Sequence, residues 1–179
     1  MNIRVSSDVT FDRIVDGPGL RMGEWTQGCI HKCIGCHNPQ THDLYGGYEI
    51  DTIDIINTIK TLKLQRGITL SGGEPFLQAE ALEEIAKEAK KYKHDVWSYT
   101  GFTFEELLDK NNPHYLKNIK LLNQIDVLVD GKFIENKKEV GLRFRGSSNQ
   151  RIIDVQNSLR YKKVFLKEDY MQEALHEVR

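Results

Sequence analysis

Residues 28–39 read Gly-Cys-Ile-His-Lys-Cys-Ile-Gly-Cys-His-Asn-Pro and contain all three cysteines of a 179-residue chain. The spacing, C-x3-C-x2-C, lets one short loop direct three thiolates at a common centre. Soft thiolate ligands select zinc, copper(I) or iron–sulfur clusters over hard cations. Three cysteines are one fewer than the four that usually hold a 4Fe–4S cluster. A cluster held by Cys29, Cys33 and Cys36 therefore keeps one iron without a protein ligand, where a small molecule can bind.

A structural zinc site is the simpler alternative for this cysteine loop. Three cysteines and one histidine form a common tetrahedral zinc site, and His31, His37 or His42 can complete it. Disulfide bonding is disfavoured, because an odd number of cysteines in one loop does not make the framework of a secreted domain. The loop by itself leaves the zinc and iron–sulfur interpretations open.

A second motif, Ser71-Gly72-Gly73-Glu74-Pro75, follows a short apolar strand. Paired glycines let the backbone approach a ligand without obstruction by side chains. A plain turn from a strand into a helix explains only one of the two glycines. The motif therefore indicates a ligand-binding turn, about 40 residues after the cysteine loop.

Composition favours one cytoplasmic domain spanning residues 1–179. Lys+Arg total 25 and Asp+Glu total 26, which leaves a formal charge of -1. This balance gives no reason to expect nucleic acid or an anionic membrane as a partner. The sequence has no signal-peptide core at its start and no apolar run of about 18 residues, so we expect neither secretion nor membrane insertion. Reduced thiols also fit the cytoplasm.

Strand and helix patterns alternate along the chain. Asp51 is predicted to cap a helix with Ile53, Ile56 and Ile59, together with Ile55 and Leu62, on its apolar face. Alternation favours a parallel sheet with helices outside it. A closed eight-unit barrel needs about 250 residues, so we expect a partial, open β/α barrel of about five or six units. Strands are predicted at 21–27, 67–71, 95–100, 126–133 and 150–155, and helices at 52–62, 78–92, 103–110 and 113–123. A short strand and a final helix are predicted over 162–179.

Both motifs resemble those of the radical S-adenosylmethionine (SAM) enzymes. In that family three cysteines with this spacing hold a 4Fe–4S cluster, whose fourth iron binds the amino and carboxylate groups of SAM. Asp-Gly-Pro-Gly-Leu-Arg at 16–21 also resembles the string that precedes the cluster in activating enzymes of glycyl radical enzymes. The resemblance implies Cys29, Cys33 and Cys36 as catalytic metal ligands. The residues that it implies as SAM contacts are Gly35, Cys36, His37, Ser71, Gly72, Gly73 and Glu74.

Asp130 and Lys132 stand at the end of the predicted fourth strand. In the simpler interpretation, both residues are ordinary surface charges that cap the end of a strand. The resemblance offers a second interpretation, in which Lys132 lies near the SAM carboxylate, because a compact ammonium group suits an anion. Asp130 would then lie near the polar end of SAM. The sequence leaves both interpretations open.

Further features resemble the activating components of anaerobic (class III) ribonucleotide reductases. Gly35 stands where radical SAM proteins commonly carry an aromatic residue, and the chain is short. The same proteins are resembled by two further strings, Val-Leu-Val-Asp-Gly-Lys-Phe at 127–133 and Arg-Gly-Ser-Ser-Asn-Gln at 145–150. The resemblance runs from about Asp16 to Ile153. It implies reductive cleavage of SAM and hydrogen abstraction from a glycine Cα of the large reductase subunit. A flavodoxin or ferredoxin would supply the electron.

Two other functions fit the same motifs. One is a radical SAM enzyme that activates another glycyl radical enzyme, such as the pyruvate formate-lyase type, or that acts on a small molecule. A barrel sealed at its mouth would favour the small molecule. The other is a zinc-stabilised binding module without catalysis. The loop around 146–150, with Arg143, Arg145 and Arg151 nearby, is rich in hydroxyl and amide groups and is predicted to recognise a partner.

Overall fold

A single mixed sheet of eight strands organises the computed structural model, which describes residues 1–172. The strands are β1 (Asn2–Val5), β2 (Thr10–Arg13), β3 (Arg21–Thr26), β4 (Tyr48–Asp51), β5 (Gly67–Gly72), β6 (Asp95–Tyr99), β7 (Val127–Asp130) and β8 (Arg151–Asp154). The helices are α1 (Thr52–Ile59), α2 (Ala79–Lys91), α3 (Phe104–Leu107), α4 (Tyr115–Leu122), α5 (Val155–Tyr161) and α6 (Glu168–Met171). None of the helices within residues 1–172 has the length and apolar content that crossing a bilayer requires.

Strands β3, β5, β6 and β7 are parallel neighbours in the order of the chain. Helix α1, helix α2 and the α3–α4 pair lie in the three connections between them. The predicted alternation of strand and helix is thus confirmed for this part of the sheet. Each connection leads to the adjacent strand on the same side of the sheet. Because such crossovers are right-handed, the helices in these connections lie on one face of the sheet.

The predicted fifth parallel strand is wrong in its direction. Strand β8 runs antiparallel to β7, with Asp130 opposite Arg151 and Val127 opposite Asp154. A parallel return needs a crossover of a dozen or more residues, usually a helix. The segment between β7 and β8 holds only a short 3-10 turn at Glu135–Lys137. The chain therefore returns beside β7 in the opposite direction, and the parallel part has four strands.

Three antiparallel strands extend the other side of the sheet. Strands β1 and β2 pair with different parts of β3, and β4 pairs with β1. Strand β4 was not predicted, because its four residues are mostly exposed and show no apolar alternation. Its partner strand β1 lies at the start of the chain, with Asn2 opposite Asp51 and Val5 opposite Tyr48. The end strands β4 and β8 do not pair within residues 1–172, so that the described sheet is open.

Alternate residues of the parallel strands face the helices and form the main core. Met22, Leu70 and Leu128 contribute from the sheet. The predicted inner face of α2, formed by Leu82, Ile85, Ala86 and Ala89, is buried as expected. In α1 the buried stripe is Thr52, Ile55, Ile56 and Ile59, whereas Ile53 is 46% exposed. This corrects the prediction, because the helical stripe starts at Thr52 and Ile53 lies about 100° around the helix from it.

The opposite face of the sheet is closed at its amino-terminal end by Arg21. Its guanidinium group is fully buried, lies 2.6 Å from Asp95 and donates to the carbonyl oxygen of Ile68. It also lies over the Trp97 ring, 5.5 Å from the centroid. The turn before it needs glycine, since a Cβ at Gly17 would meet the Arg21 side chain at 2.8 Å. The Asp-Gly-Pro-Gly-Leu-Arg string therefore builds the floor of this face.

The carboxyl-terminal segment packs across the last strand. Ile153 and Leu166 form an isolated antiparallel bridge, and α6 follows it. The short strand and final helix predicted over 162–179 are thus partly confirmed. Residues 173–179 lie outside the described part of the chain.

Glu24 is a buried carboxyl group on the helix-facing side of β3. It stands opposite Leu70 and between the buried residues Met22 and Thr26. Neither of its side-chain oxygens has a hydrogen-bond partner within residues 1–172. Burial raises the pKa of Glu24 to about 8, and the nearby Trp25 backbone N–H opposes this shift only weakly. The folded protein therefore holds this group protonated at neutral pH.

We predict that Glu24 makes the fold less stable as pH rises. Between the ordinary value of 4.5 and the folded value near 8, the native state binds the proton that the unfolded state has released. The free energy of unfolding should thus fall by about 5 kcal/mol across this window. Urea titrations of the metal-free protein should show that fall in the wild type, whereas Glu24→Gln removes most of it. Parallel pH profiles for the two proteins would contradict the prediction.

Candidate functional site

A cavity of about 530 Å³ lies at the carboxyl ends of the parallel strands. This is the edge where open α/β sheets bind ligands. All three cysteines line it, together with residues that follow β5, β6 and β7. The lining residues, in chain order, are Arg13, Val15, Asp16, Trp25, Cys29, His31, Cys33, Cys36, His37, Asn38, Ser71, Gly72, Gly73, Tyr99, Thr100, Gly101, Gly131, Phe133, Leu142, Phe144, Arg145, Gly146 and Gln150.

Glycine and left-handed backbone shape the cysteine loop. Gly28, Lys32 and Gly35 have φ angles of 98°, 48° and 72°. The amide of Gly28 donates to the carbonyl of Thr41, which ties the start of the loop to the turn that ends it. All three cysteines are free thiols, with Cys29 buried and the other two partly exposed. The loop thereby presents three sulfurs to one cavity, and Cys36 Sγ accepts a hydrogen bond from Asn38 N at 3.4 Å.

The surroundings of Cys29 shift the pKa of its thiol in two opposite directions. Burial raises the pKa of Cys29, and the Glu74 carboxylate adds to that effect. Hydrogen bonds from the backbone N–H groups of His31 and Lys32 act in the opposite direction. Such N–H groups stabilise a thiolate, which is the form that binds a metal.

The histidines considered as zinc ligands have other surroundings. His31 Nε2 lies 2.7 Å from Glu74 Oε2, and the His37 ring packs against Phe133 with 5.1 Å between centroids. His42 is partly buried in the turn that follows the loop. Within residues 1–172, no three side chains of the His, Cys, Asp or Glu types converge closely enough to hold one metal ion.

The Ser71–Pro75 turn packs directly on the cysteine loop. Gly73 N donates to Thr26 O, and Glu74 N donates to Gly28 O, both at 2.8 Å. A Cβ at Gly73 would lie 2.3 Å from the Gly28 carbonyl oxygen, and one at Gly72 would lie 2.4 Å from the Thr26 carbonyl oxygen. Both glycines also line the cavity. The pair is therefore needed for the approach of two backbones as well as for access to the cavity.

Glu74 is fully buried beneath this turn and does not line the cavity. Its Oε1 accepts from Phe76 N at 3.0 Å and from Thr100 Oγ1 at 2.9 Å. Its Oε2 accepts from Gly101 N at 2.8 Å and contacts His31. The carboxylate thus connects three loops that border the cavity.

Asp130 and Lys132 also lie away from the cavity lining. Asp130 is buried on the helix-facing side of β7, accepts from Phe104 N at the start of α3, and pairs with Arg151. Lys132 is exposed, and its carbonyl oxygen accepts from Asn149 Nδ2. Asp130 follows the same alternation as Leu128, which explains why its side chain turns toward the helices.

The structure brings together some of the residues predicted as cofactor contacts and separates others. Cys36, His37, Ser71, Gly72 and Gly73 line the cavity, whereas Gly35, Glu74, Asp130 and Lys132 do not. Gly35 lies under the segment that follows β7, since a Cβ there would meet Glu135 Oε1 at 2.8 Å.

Several lining residues were not singled out from the sequence. Arg13 pairs with Asp16 at 2.6 Å and lies over the Trp25 ring, and Phe133 packs against His37. Trp25 follows the buried Glu24 in β3, and successive side chains of a strand point to opposite faces. Strand alternation alone could therefore have predicted that Trp25 faces the cavity. Arg13 and Phe133 carried no such local signal, because their positions depend on loops that fold over the sheet.

The final loop is held mainly by its own residues. Arg145 donates to the carbonyl oxygens of Ser148, Gln150 and Met171. The Gln150 side chain accepts from the amides of Gly146 and Ser147. Arg145 therefore shapes the loop that was predicted to recognise a partner.

We predict that Gly73→Val disturbs the cysteine loop as well as the cavity. The added side chain would collide with the Gly28 carbonyl, at a cost of about 3 kcal/mol in the free energy of unfolding. Gly131→Ala is the matched control, because a Cβ there has no atom closer than 3.8 Å and only the φ of 96° is unfavourable. That control should cost about 1 kcal/mol. Urea titration tests both values, and equal losses would show that the close approach is unimportant.

Comparison with known proteins agrees with this arrangement. The model of a 4Fe–4S single cluster domain family matches residues 15–153. An anaerobic ribonucleoside-triphosphate reductase-activating protein of Vibrio cholerae is 38% identical over 146 residues, which cover 76% of this chain and 89% of the relative. Proteins with that name from Escherichia coli K12 and enterobacteria phage T4 are 36% and 33% identical, over 76% and 80% of this chain and 90% and 93% of their own lengths. The chain belongs to the family of anaerobic ribonucleoside-triphosphate reductase-activating proteins, and it contains a 4Fe–4S single cluster domain.

Proposed function

We propose that this protein is a radical SAM enzyme that generates a glycyl radical on the large subunit of an anaerobic ribonucleotide reductase. The observation that carries the proposal is the shared cavity of three free thiols and a glycine turn at the carboxyl edge of a parallel sheet. Family membership supports the proposed chemistry of the centre and the proposed partner. We also propose that the chain acts as one domain in the cytoplasm, with a flavodoxin or ferredoxin as electron donor.

Cys29, Cys33 and Cys36 would hold the cluster. Their thiols are free, line one cavity and lie in a loop shaped by backbone rather than by other metal ligands. Three thiolates suit a 4Fe–4S cluster with one iron open to a small molecule. When bound, the cluster would supply the electron for reductive cleavage of SAM, and this chemistry would lead to removal of hydrogen from the glycine Cα. The protein itself supplies binding, orientation and exclusion of side reactions.

SAM would bind in the same cavity beside the cysteines. Ser71, Gly72 and Gly73 leave the floor free of bulky side chains, and His37 with Phe133 forms an aromatic wall. We propose Ser71, the two glycines and His37 as direct contacts. Glu74 and Asp130 would act through the loops that they hold, because protein donors already surround both carboxylates.

The open sheet suits a macromolecular substrate. We propose that the four parallel strands, with their antiparallel neighbours, form the partial barrel of the radical SAM enzymes. The end strands β4 and β8 do not pair with each other within residues 1–172. A glycine-bearing loop of a large subunit can then approach the cavity from the side that the sheet leaves open. Arg21 closes the other end, which protects the site from water at the floor.

The first test is the metal content. Protein reconstituted without oxygen should bind about four iron and four sulfide per chain and become brown. Single Cys33→Ala or Cys36→Ala substitutions should abolish SAM cleavage, because each removes a ligand. Ser7→Ala is a control at an exposed hydroxyl that donates to its neighbour Asp8 and does not line the cavity. Stoichiometric zinc without iron uptake would refute the cluster, and a fully active cysteine variant would remove that cysteine from the ligand set.

The second test is the radical itself. The reduced protein, SAM and the large reductase subunit, mixed without oxygen, should give a glycine-centred doublet in the electron paramagnetic resonance spectrum. Methionine and 5′-deoxyadenosine should form alongside it. Omitting SAM is the control and should remove the doublet. A doublet with a pyruvate formate-lyase-type enzyme, and none with the reductase subunit, would move the assignment to another glycyl radical activase.

A further inference from the structure

The Glu74 carboxylate has no acceptor position left for a ligand. An ionised carboxylate offers about four lone-pair sites. Phe76 N, Thr100 Oγ1, Gly101 N and His31 Nε2 occupy them at 2.7 to 3.0 Å. Glu74 is also fully buried. Its effect on the cavity must therefore pass through the groups that it binds.

His31 is the partner that reaches the metal-binding loop. It stands midway between Cys29 and Cys33, and its side chain is only 5% exposed. Because a carboxylate only accepts hydrogen bonds, Nε2 is the donor in the 2.7 Å contact. The ring also packs edge-on against Phe102, with 4.5 Å between centroids. Two independent contacts thus fix one ring.

Gly101 shows how closely this ring is enclosed. A Cβ at that position would lie 2.3 Å from His31 Cδ2. The loop after β6 therefore leaves a space that only the imidazole fills. The same loop donates Gly101 N and Thr100 Oγ1 to Glu74. His31 consequently sits in a pocket made by two other loops, and the backbone between the two cysteines is held in place by it.

We propose that His31 is a positioning residue for the cluster ligands. Anchored by Glu74, it fixes the segment between Cys29 and Cys33 and so sets where their sulfurs lie. This inference rests on the proposed function in taking those cysteines as ligands. It assigns to the glutamate of the Ser-Gly-Gly-Glu-Pro motif a role in ordering the metal loop, whereas the neighbouring glycines face the cavity.

The experiment compares thiol reactivity in the metal-free protein. His31→Leu removes the charged hydrogen bond and should raise the rate of Cys29 alkylation about tenfold. His31→Gln keeps an N–H donor for Glu74 and should stay within about threefold of the wild type. Mass spectrometry of each cysteine gives the rates. Thr100→Val is the matched control, because it removes a different donor from the same carboxylate without touching the cysteine loop.

A second measurement follows the reconstituted cluster. In His31→Leu the cluster should lose iron to a chelator about tenfold faster, with an altered paramagnetic resonance spectrum in the reduced state. His31→Gln should restore both. His114→Leu makes the same change at an exposed histidine and should have no effect. If His31→Leu fails to fold, His31→Asn takes its place, because its shorter amide cannot reach Glu74, and reactivity equal to that of His31→Gln would refute the positioning role.

The outcomes separate this inference from the proposed function. Equal Cys29 reactivity in His31→Leu, Thr100→Val and the wild type would refute the positioning role. Equal reactivity of His31→Gln and His31→Leu would do so too, since the hydrogen bond would then be irrelevant. A wild type that binds no iron would refute the proposed function, while the alkylation rates of the metal-free protein would still test His31.

Discussion

The structure depends on the contact between two backbones at Gly28 and Gly73. The Glu74 amide donates to the Gly28 carbonyl, and a side chain at Gly73 would overlap that oxygen. This contact brings the loop after β3 and the turn after β5 to one cavity. It follows from the parallel register of the two strands, in which Thr26 stands opposite Gly72. Without that register the thiols and the glycine turn would be separate features.

Strand alternation decides which charged groups face the cavity. Glu24 and Asp130 follow the helix-facing positions of β3 and β7, so that the first lies in the core and the second holds the start of α3. Arg21 and Trp97 face the other way and close the floor of the cavity side. A charged residue at the end of a strand therefore reaches a ligand only when the pleat turns it toward that side.

The cysteine loop is supported on two sides. The turn after β5 lies against Gly28, and the segment after β7 lies against Gly35 through Glu135 and against His37 through Phe133. Glycine at 35 thus makes room for a neighbouring segment of the same chain. The end strands β4 and β8 do not pair with each other within residues 1–172, so the described sheet does not close around the loop.

The sequence by itself determined the features that depend on local spacing. Cysteines three and four residues apart define the cysteine loop, paired glycines define the turn, and apolar periodicity defines α2 and the four parallel strands. Tertiary structure alone decided the direction of β8, the existence of β4 and the burial of Glu74. These three depend on pairing and packing between segments far apart in the chain. Their free energy comes from partners that no local window contains, so only the folded chain reveals them.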